Sequence, residues 1–213
     1  MATKKNEVVE SGIVQIPDLN LGEFTLKVIG DSPLIVHAWS DKAKQMMLDK
    51  QMKKASAGRE AKDPFMDFVD SLYWLTERPK NPTMEDVLKA KFGFPVTAFK
   101  AAAIDGAYQA GALAKKTTAR GAFHIIGEMA EINGVPEMRE DMVRIAMGTA
   151  DIRYRGEFKK WDTTLLIQYN KNAVSMEQII SMFNIGGFGV GVGEWRPAKD
   201  GSFGRFHVAC GNE

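Results

Sequence analysis

The stretch FNIGGFGVGVGEWRP at residues 183–197 contains the densest run of glycine in the chain, interrupted by aromatic and charged side chains. Seven of the 20 glycines fall between Gly186 and Gly204. Glycine lets a second backbone or a ligand come close, at a cost in conformational entropy. The run therefore predicts a glycine-rich loop that another group approaches. The alternative is a hairpin that turns and packs on the core.

The side chains of this loop favour a polyanion as the approaching group. Backbone N–H groups in glycine loops can hold phosphates, arginines can pair with them, and aromatic rings can stack on bases. The glycine spacing is neither that of a P-loop nor that of a dinucleotide-binding turn. The candidate nucleic-acid contacts in this region are Gly187, Gly189, Gly191, Trp195, Arg196 and Arg205.

Basic residues elsewhere suit the same partner, although the net charge is only +1. A basic groove is sufficient for nucleic-acid binding, whatever the total charge. The predicted helix from Lys42 to Lys54 has a local positive excess, and two arginines lie two residues apart on a predicted strand, where side chains share one face. The further candidate contacts are Lys42, Lys44, Lys53, Lys54, Lys100, Arg153 and Arg155. For the two arginines, an ordinary solvated face is the alternative.

The composition excludes several other classes of protein. The hydrophobic fraction of 45% and the charged fraction of 26% are typical of globular proteins. No apolar run reaches membrane-spanning length and the first residues lack a secretory signal, so we expect a cytoplasmic protein with no membrane contact. The single cysteine, Cys210, and three well-separated histidines predict no disulfide, no metal site and no cofactor.

The hydrophobic periodicity predicts the order strand, helix, strand, strand, helix, strand. Residues 23–29 and 163–169 alternate as strands do, Pro95 opens a helix, and Ser175 caps a second helix that runs to Phe183. This order is that of the split βαβ arrangement. The predicted fold class is therefore α+β, a ferredoxin-like (RRM-like) antiparallel sheet with two helices on one face.

The same pattern predicts the domain organisation. Residues 1–22 are polar with little periodicity and are predicted to form a flexible N-terminal arm. Residues 23–213 are predicted to form a single domain. It would carry an insertion at about 56–94, where proline and glycine break the periodicity, and a hairpin region at about 120–160.

Three stretches resemble the RAMP superfamily, the RNA-binding proteins of CRISPR systems: GDSPLIVH at 30–37, FPVTAFKAA at 94–102 and GGFGVGVG at 186–193. The resemblance covers about residues 23–208. It implies a glycine loop beside nucleic acid, and head-to-tail homo-oligomers in which an inserted hairpin or thumb contacts the neighbour. It also implies a non-enzymatic protein that binds single-stranded RNA or DNA and assembles along the strand, as the backbone subunits of this superfamily do.

Two other functions stay open at the level of sequence. Some RAMP proteins are metal-independent RNA-processing nucleases with a histidine in the neighbourhood of His37, and some backbone subunits place a target-cleaving aspartate in the region of Asp41. Acid–base cleavage would require a lysine or tyrosine near His37, together with the glycine loop. A backbone-bonded histidine and a helix-capping aspartate are the alternatives. The third possibility is a structural protein that assembles without nucleic acid.

Overall fold

The computed structural model describes residues 18–39, 41–54, 61–144 and 150–210. The strands are β1 (Leu21–Gly30), β2 (Leu34–Val36), β3 (Phe92–Pro95), β4 (Phe123–Ile125), β5 (Met129–Asn133), β6 (Pro136–Arg144), β7 (Ala150–Phe158), β8 (Asp162–Asn170) and β9 (Phe206–Val208). The helices are α1 (Asp41–Gln51), α2 (Pro64–Asp70), α3 (Met84–Lys89), α4 (Val96–Gln109), α5 (Lys116–Ala122) and α6 (Met176–Gly189).

The main sheet has the strand order β3-β5-β8-β1-β9, with β4 also paired to β8, and its pairings are antiparallel. The first core strand, β1, lies between the third, β8, and the last, β9. Helix α4 connects the first core strand to the second, and α6 connects the third to the last. This is the split βαβ topology, so the predicted α+β, ferredoxin-like class is confirmed.

One face of this sheet and the two helices enclose the hydrophobic core. Leu26 and Val28 on β1 and Leu165 on β8 are buried and point to the helices, whereas the alternate residues Thr25, Lys27, Thr164 and Leu166 are exposed. Phe99 of α4 packs edge-to-face on Phe206 of β9, with ring centroids 5.7 Å apart. The strict alternation explains why the sequence pattern located these strands correctly.

Helices α4 and α6 cross at a pair of glycines. A Cβ at Gly186 would lie 2.3 Å from the carbonyl oxygen of Ala102, and one at Gly106 would lie 2.5 Å from the Cα of Gly186. The predicted capping box at Ser175 is present, but α6 continues to Gly189 and does not end at Phe183. The predicted loop is thus wrong for residues 186–189, which are helical, and Gly186 and Gly187 there permit close packing on α4 and β9.

A second, three-stranded sheet has the order β2-β7-β6. Strands β6 and β7 form a long antiparallel hairpin within the region where the sequence predicted one, and its tip at 145–149 lies outside the described residues. Helix α2 packs against β7, where the hydroxyl of Ser71 accepts a 2.7 Å hydrogen bond from the backbone N–H of Gly156. The loop that follows α6 lies beside the end of β2.

The remaining predictions of local structure are partly corrected. Within the predicted insertion lie α2, α3 and β3, and the strand expected at 70–75 is reduced to one bridge between Trp74 and Phe92. Strand β1 begins at Leu21, two residues inside the predicted N-terminal arm, and the rest of that arm up to residue 17 lies outside the described part. Across the described ranges, no helix has the length and apolar character needed to cross a bilayer.

Candidate nucleic-acid interface

The segment after α6 folds back on β2 and forms one wall of a cleft. The backbone N–H of Glu194 donates to the carbonyl of Ile35 at 2.9 Å, and that of Val192 donates to the carbonyl of Gly204 at 2.9 Å. Gly193 has a φ of 80°, and a Cβ there would lie 2.5 Å from the carbonyl oxygen of Ile35. Only glycine fits this conformation and approach, so the segment is fixed beside the end of β2.

The cleft has a volume of about 220 Å³ and is open to solvent on one side. The end of β2, the segment before β3, helix α4 and the loop after α6 form its walls. Its lining residues are His37, Tyr73, Phe94, Ala98, Ala101, Ala102, Asp105, Val190, Gly191, Val192, Gly193, Glu194 and Arg196. The cleft therefore joins residues from four separate parts of the sequence.

His37 lines this cleft and is uncharged near neutral pH. Burial lowers the pKa of His37, and Arg155 and Arg153 lower it further against the opposing effect of Glu194. The Nε of Arg155 donates to Nδ1 of His37 at 3.4 Å. This contact assigns the remaining ring proton to Nε2, so the ring can donate through Nε2 in its neutral form.

Tyr73 supplies a hydroxyl next to His37. Its Oη donates to the backbone carbonyl of His37 at 3.4 Å, a long hydrogen bond. Burial raises the pKa of Tyr73, and the carboxylate of Glu194 raises it further. Tyr73 is therefore a protonated hydroxyl at neutral pH, and the carboxylate of Glu194 is close enough to both side chains to influence their titration.

A buried ion-pair network supports this side of the cleft from the second sheet. Asp141 accepts hydrogen bonds from Nε of Arg139 at 2.8 Å and from Nη1 of Arg155 at 2.9 Å. The side chains of Arg155 and Asp141 are only 5% and 9% exposed. The structure thus corrects the assignment of Arg155 as a phosphate contact, because its guanidinium is buried and holds Asp141 and His37.

Of three other predicted contacts, Arg196 lines the cleft, Trp195 is its neighbour in the sequence, and Arg153 influences the pKa of His37. Arg153 is opposite Asp141 in the hairpin and shares a face with Arg155, as predicted, but its side chain is 42% exposed. Trp195 is 41% exposed and has a φ of 52°, which is unusual for a bulky residue. The Nη1 of Arg196 donates to the carbonyl of Gly193 at 2.9 Å, so Arg196 mainly stabilises the loop.

Several predicted contacts lie away from the cleft. Gly187 is buried in α6, where a Cβ would meet the carbonyl oxygen of Phe206, so its assignment as a strand contact is corrected. Gly189 is exposed at the end of the same helix. Lys100 lies on the other side of α4, with Nζ bonded to the carbonyl of Arg120 at 2.8 Å.

Arg205 joins β9 to the turn after β1. Its backbone N–H donates to the hydroxyl of Ser32 at 2.9 Å, and its carbonyl accepts from the N–H of Asp31 at 2.8 Å. The Nε of Arg205 is buried without a hydrogen-bond partner in the described part of the chain. Arg205 does not line the cleft, and its role as a strand contact stays a prediction.

The predicted basic helix, α1, follows the end of β2 and is exposed along its described surface. Lys53 and Lys54 lie just after α1, and Lys54 pairs with Asp49 at 3.0 Å. Lys44 is on the helix, with an exposed side chain. The side chains of Lys42 and Asp41 lie outside the described residues, so the predicted contact and cap at these positions stay predictions.

The open face of the main sheet is polar and offers no stacking platform. RNA-recognition domains bind bases through aromatic side chains on this face. In β1, β5 and β8, the positions that point away from the helices carry no aromatic ring, and the imidazoles of His124 on β4 and His207 on β9 lie on strands that are not neighbours. The outward side chains include Glu23, Thr25, Lys27, Thr164, Leu166 and Gln168. The cleft is thus a better candidate for strand binding than the sheet.

Two cleft residues, Tyr73 and Glu194, were absent from the sequence-based candidates. Tyr73 lies in a short apolar run that was predicted to be a strand, and that prediction did not place its hydroxyl in any site. Glu194 is flanked by Gly193 and Trp195, and an acidic residue did not fit the expected polyanion. The position of a charged residue within a glycine run was the sequence feature that could have identified Glu194 as a candidate.

No protein-family model matches this chain, and no curated protein is significantly similar to it. Among solved structures, the chain is similar to Cmr6 from Pyrococcus furiosus, with a TM-score of 0.44 and 9% sequence identity over 89% of this chain and 98% of that chain. At this TM-score the likeness decides neither fold nor function. The resemblance to the RAMP superfamily therefore stays a prediction from the sequence.

Proposed function

We propose that this protein is a non-enzymatic binder of single-stranded nucleic acid, with RNA as the preferred strand, and that it belongs to the RAMP-like proteins. The observation that carries the proposal is the cleft between β2, α4 and the loop after α6. It is open and mixed in polarity, the exposed Trp195 lies between its lining residues Glu194 and Arg196 in the sequence, and the partly exposed Arg153 is close enough to His37 to lower the pKa of that histidine.

The surroundings of the cleft match what a single strand needs. Single-strand binders combine cations that follow the phosphates with aromatic rings on which bases stack. Arg153 is a partly exposed cation that lowers the pKa of His37 and lies 3.7 Å from a carboxylate oxygen of Asp151. Helix α1, with exposed lysines, begins four residues after His37 along the chain. A strand bound at the cleft would have Trp195 for stacking on a base and Arg153 for pairing with a phosphate.

We further propose that copies of the chain assemble along the bound strand as a homo-oligomer. The β6–β7 hairpin supports this idea, because it presents exposed apolar side chains at Met138, Met142 and Ile152. Met142, 75% exposed, is opposite Ile152, 43% exposed, in the hairpin, so the two side chains form an exposed apolar pair. A structural assembly that forms without nucleic acid is the competing possibility.

Binding should depend on Trp195 and Arg153. For a labelled single-stranded RNA 12-mer, we expect Trp195→Ala to weaken the affinity about 10-fold, because one base–aromatic stack is worth ~1–3 kcal/mol. We expect Arg153→Ala to weaken binding to all sequences alike and to reduce the slope of log affinity against log salt by about one. Fluorescence anisotropy over a salt series measures both effects.

The matched control is Lys89→Ala, which removes an exposed lysine of α3 that pairs with Glu85 and does not line the cleft. Its affinity and salt slope should equal those of the parent. Native mass spectrometry of the RNA complex gives the second readout, since nuclease digestion should return assembled particles to single chains. Particles of constant mass without RNA, and no anisotropy change, would contradict the proposal.

A metal-independent endoribonuclease is the second candidate function, and one observation favours it. Cleavage through a 2′-hydroxyl requires a neutral histidine as base and a nearby proton donor. His37 is neutral, Tyr73 lies beside it, and the glycine loop forms the opposite wall, so the condition set by the sequence is met. The side chain of Asp41 lies outside the described residues, so its part in cleavage stays a prediction.

Under this second function, labelled RNA is cut in the presence of chelator, and His37→Ala and Tyr73→Phe each reduce the rate about 100-fold or more. The pKa of His37 lies below its ordinary value, so the rate should already be on its plateau at neutral pH and fall only in acid. Gel analysis of the cleavage rate from about pH 4 to about pH 8, a range that includes the ordinary pKa of histidine, measures this pH dependence. An uncut substrate, or equal cleavage by His37→Ala, rejects the nuclease.

A further inference from the structure

The charge of the cleft suits a base better than a phosphate. Two of its lining residues, Glu194 and Asp105, are acidic, and Asp105 pairs with Lys116 at 2.8 Å. Arg196 uses its Nη1 on the carbonyl of Gly193, and His37 is neutral. No lining side chain is a cation whose hydrogen-bond donors are all available to a ligand. The two carboxylates would therefore mainly repel a phosphate inside the cleft.

The shape of the cleft suits a flat ring. Its wall on α4 is built from the small side chains of Ala98, Ala101 and Ala102, and the rings of Phe94 and Tyr73 complete the apolar part. Small-molecule sites combine such apolar walls with a few polar groups that fix orientation. With a volume of about 220 Å³, the cleft has room for a single unstacked base and not for a folded strand.

Glu194 is the polar group left to fix that orientation. No hydrogen bond or ion pair to its carboxylate is present in the described part of the chain, although it influences both His37 and Tyr73. An ionised carboxylate only accepts hydrogen bonds, and it is best satisfied by two adjacent donors. A ligand of this cleft should therefore offer a pair of neighbouring N–H groups.

Among the four RNA bases, guanine alone has two adjacent donors on its Watson–Crick edge, N1–H and the N2 amino group. Adenine and cytosine each place an acceptor nitrogen next to their amino group, and uracil has one N–H between two carbonyls. Those acceptors would face the carboxylate with like partial charge and would leave it unsatisfied. The remaining guanine acceptor, O6, can accept a hydrogen bond from Nε2–H of His37 or from a solvent molecule.

We propose that the cleft is a guanine pocket, in which Glu194 accepts hydrogen bonds from N1–H and N2–H of one unstacked guanine of the bound strand. This inference rests on the proposed strand binding and adds a base preference to it. Phosphates on either side of the guanine lie outside the pocket, where Arg153 and the lysines around α1 are exposed.

The test uses labelled RNA 9-mers of uridine with guanosine, inosine, adenosine or uridine at the central position. Inosine keeps N1–H and lacks the N2 amino group, so it removes one of the two donors without changing the ring. We expect the guanosine strand to bind about 10-fold more tightly than the inosine and uridine strands, since a hydrogen bond to a charged group is lost or a carboxylate is left unpaired.

Glu194→Gln should remove the guanosine preference, because an amide presents a donor to N1–H. Glu128→Gln is the matched control: Glu128 is exposed, outside the cleft, and should leave the preference intact. Salt-dependent binding of equal strength to all four strands overturns the guanine pocket and leaves strand binding standing. Preference for another base also overturns the pocket, and no binding to any strand overturns both proposals.

Discussion

Replacing Asp141 with alanine will lower the free energy of unfolding by about 3–5 kcal/mol. The carboxylate is 9% exposed and accepts hydrogen bonds from Arg139 and Arg155. Without it, the guanidinium of Arg155, 5% exposed, is left in the protein interior without its anion. An uncompensated buried charge is far more costly than the pair itself is stabilising, so the loss should be large.

Urea denaturation measures this loss, and Glu137→Ala is the control on the same strand and the same face. Glu137 pairs with Lys159 at the surface, where the two side chains are 50% and 60% exposed, so its removal should cost less than about 1 kcal/mol. Equal losses for the two variants would show that the buried network does not carry the stability assigned to it.

The pH dependence gives an independent check on Asp141. Burial alone would raise the pKa of Asp141, but the hydrogen bonds from Arg139 and Arg155 outweigh it and hold the pKa below the ordinary value of 3.8. A carboxyl group with a depressed folded-state pKa adds stability above its unfolded pKa and loses it as the pH falls through the folded one. The stability difference between parent and Asp141→Ala should therefore shrink below pH 3.8.

Replacing Gly186 with alanine will lower the free energy of unfolding by about 3 kcal/mol, at the upper end of overpacking costs. The new Cβ would lie 2.3 Å from the carbonyl oxygen of Ala102 and 2.7 Å from the Cα of Ala103, so backbone atoms of α4 must move. Because α6 leads directly into the loop that forms the cleft, the shift should also weaken strand binding.

The same substitution at Gly189 is the matched control, since both residues lie in α6. A Cβ at Gly189 meets nothing within 4 Å, and alanine restricts the unfolded chain more than glycine does. Gly189→Ala should therefore keep or raise the stability by about 0.5–1 kcal/mol. Thermal unfolding compares the two variants, and losses of similar size would contradict the close packing of α4 on α6.

Several parts of the proposed site have roles other than those that the sequence predicted for them. Arg155 was expected at a phosphate, and it instead orients His37 through Nδ1 from a position 118 residues along the chain. The glycine run was expected as one loop, and it divides into a helix-packing part before residue 190 and a cleft-forming part after it. The acidic Glu194, which the sequence did not suggest as a contact, lines the cleft and is the residue to which we assign its base preference.

Local sequence patterns were sufficient to locate many of the secondary-structure elements. Residues close together in the sequence form the alternation along β1 and β8, the proline before α4 and the capping box at Ser175. The sequence located each of these features to within a few positions. Their order along the chain then determined the sheet topology, because the split βαβ arrangement follows from the order of elements.

The sequence by itself determined the α+β class, the strand order and the position of a glycine-rich segment, since these depend on periodicity and turn chemistry over short windows. Only the tertiary structure decided which glycines face a helix and which line a cleft, because glycine permits close packing and unusual φ angles alike. It also decided the grouping of His37, Tyr73 and Glu194, which depends on long-range pairing of β2 with β7 and on the loop bonded to Ile35. Such contacts join residues far apart in the chain, and no local pattern encodes them.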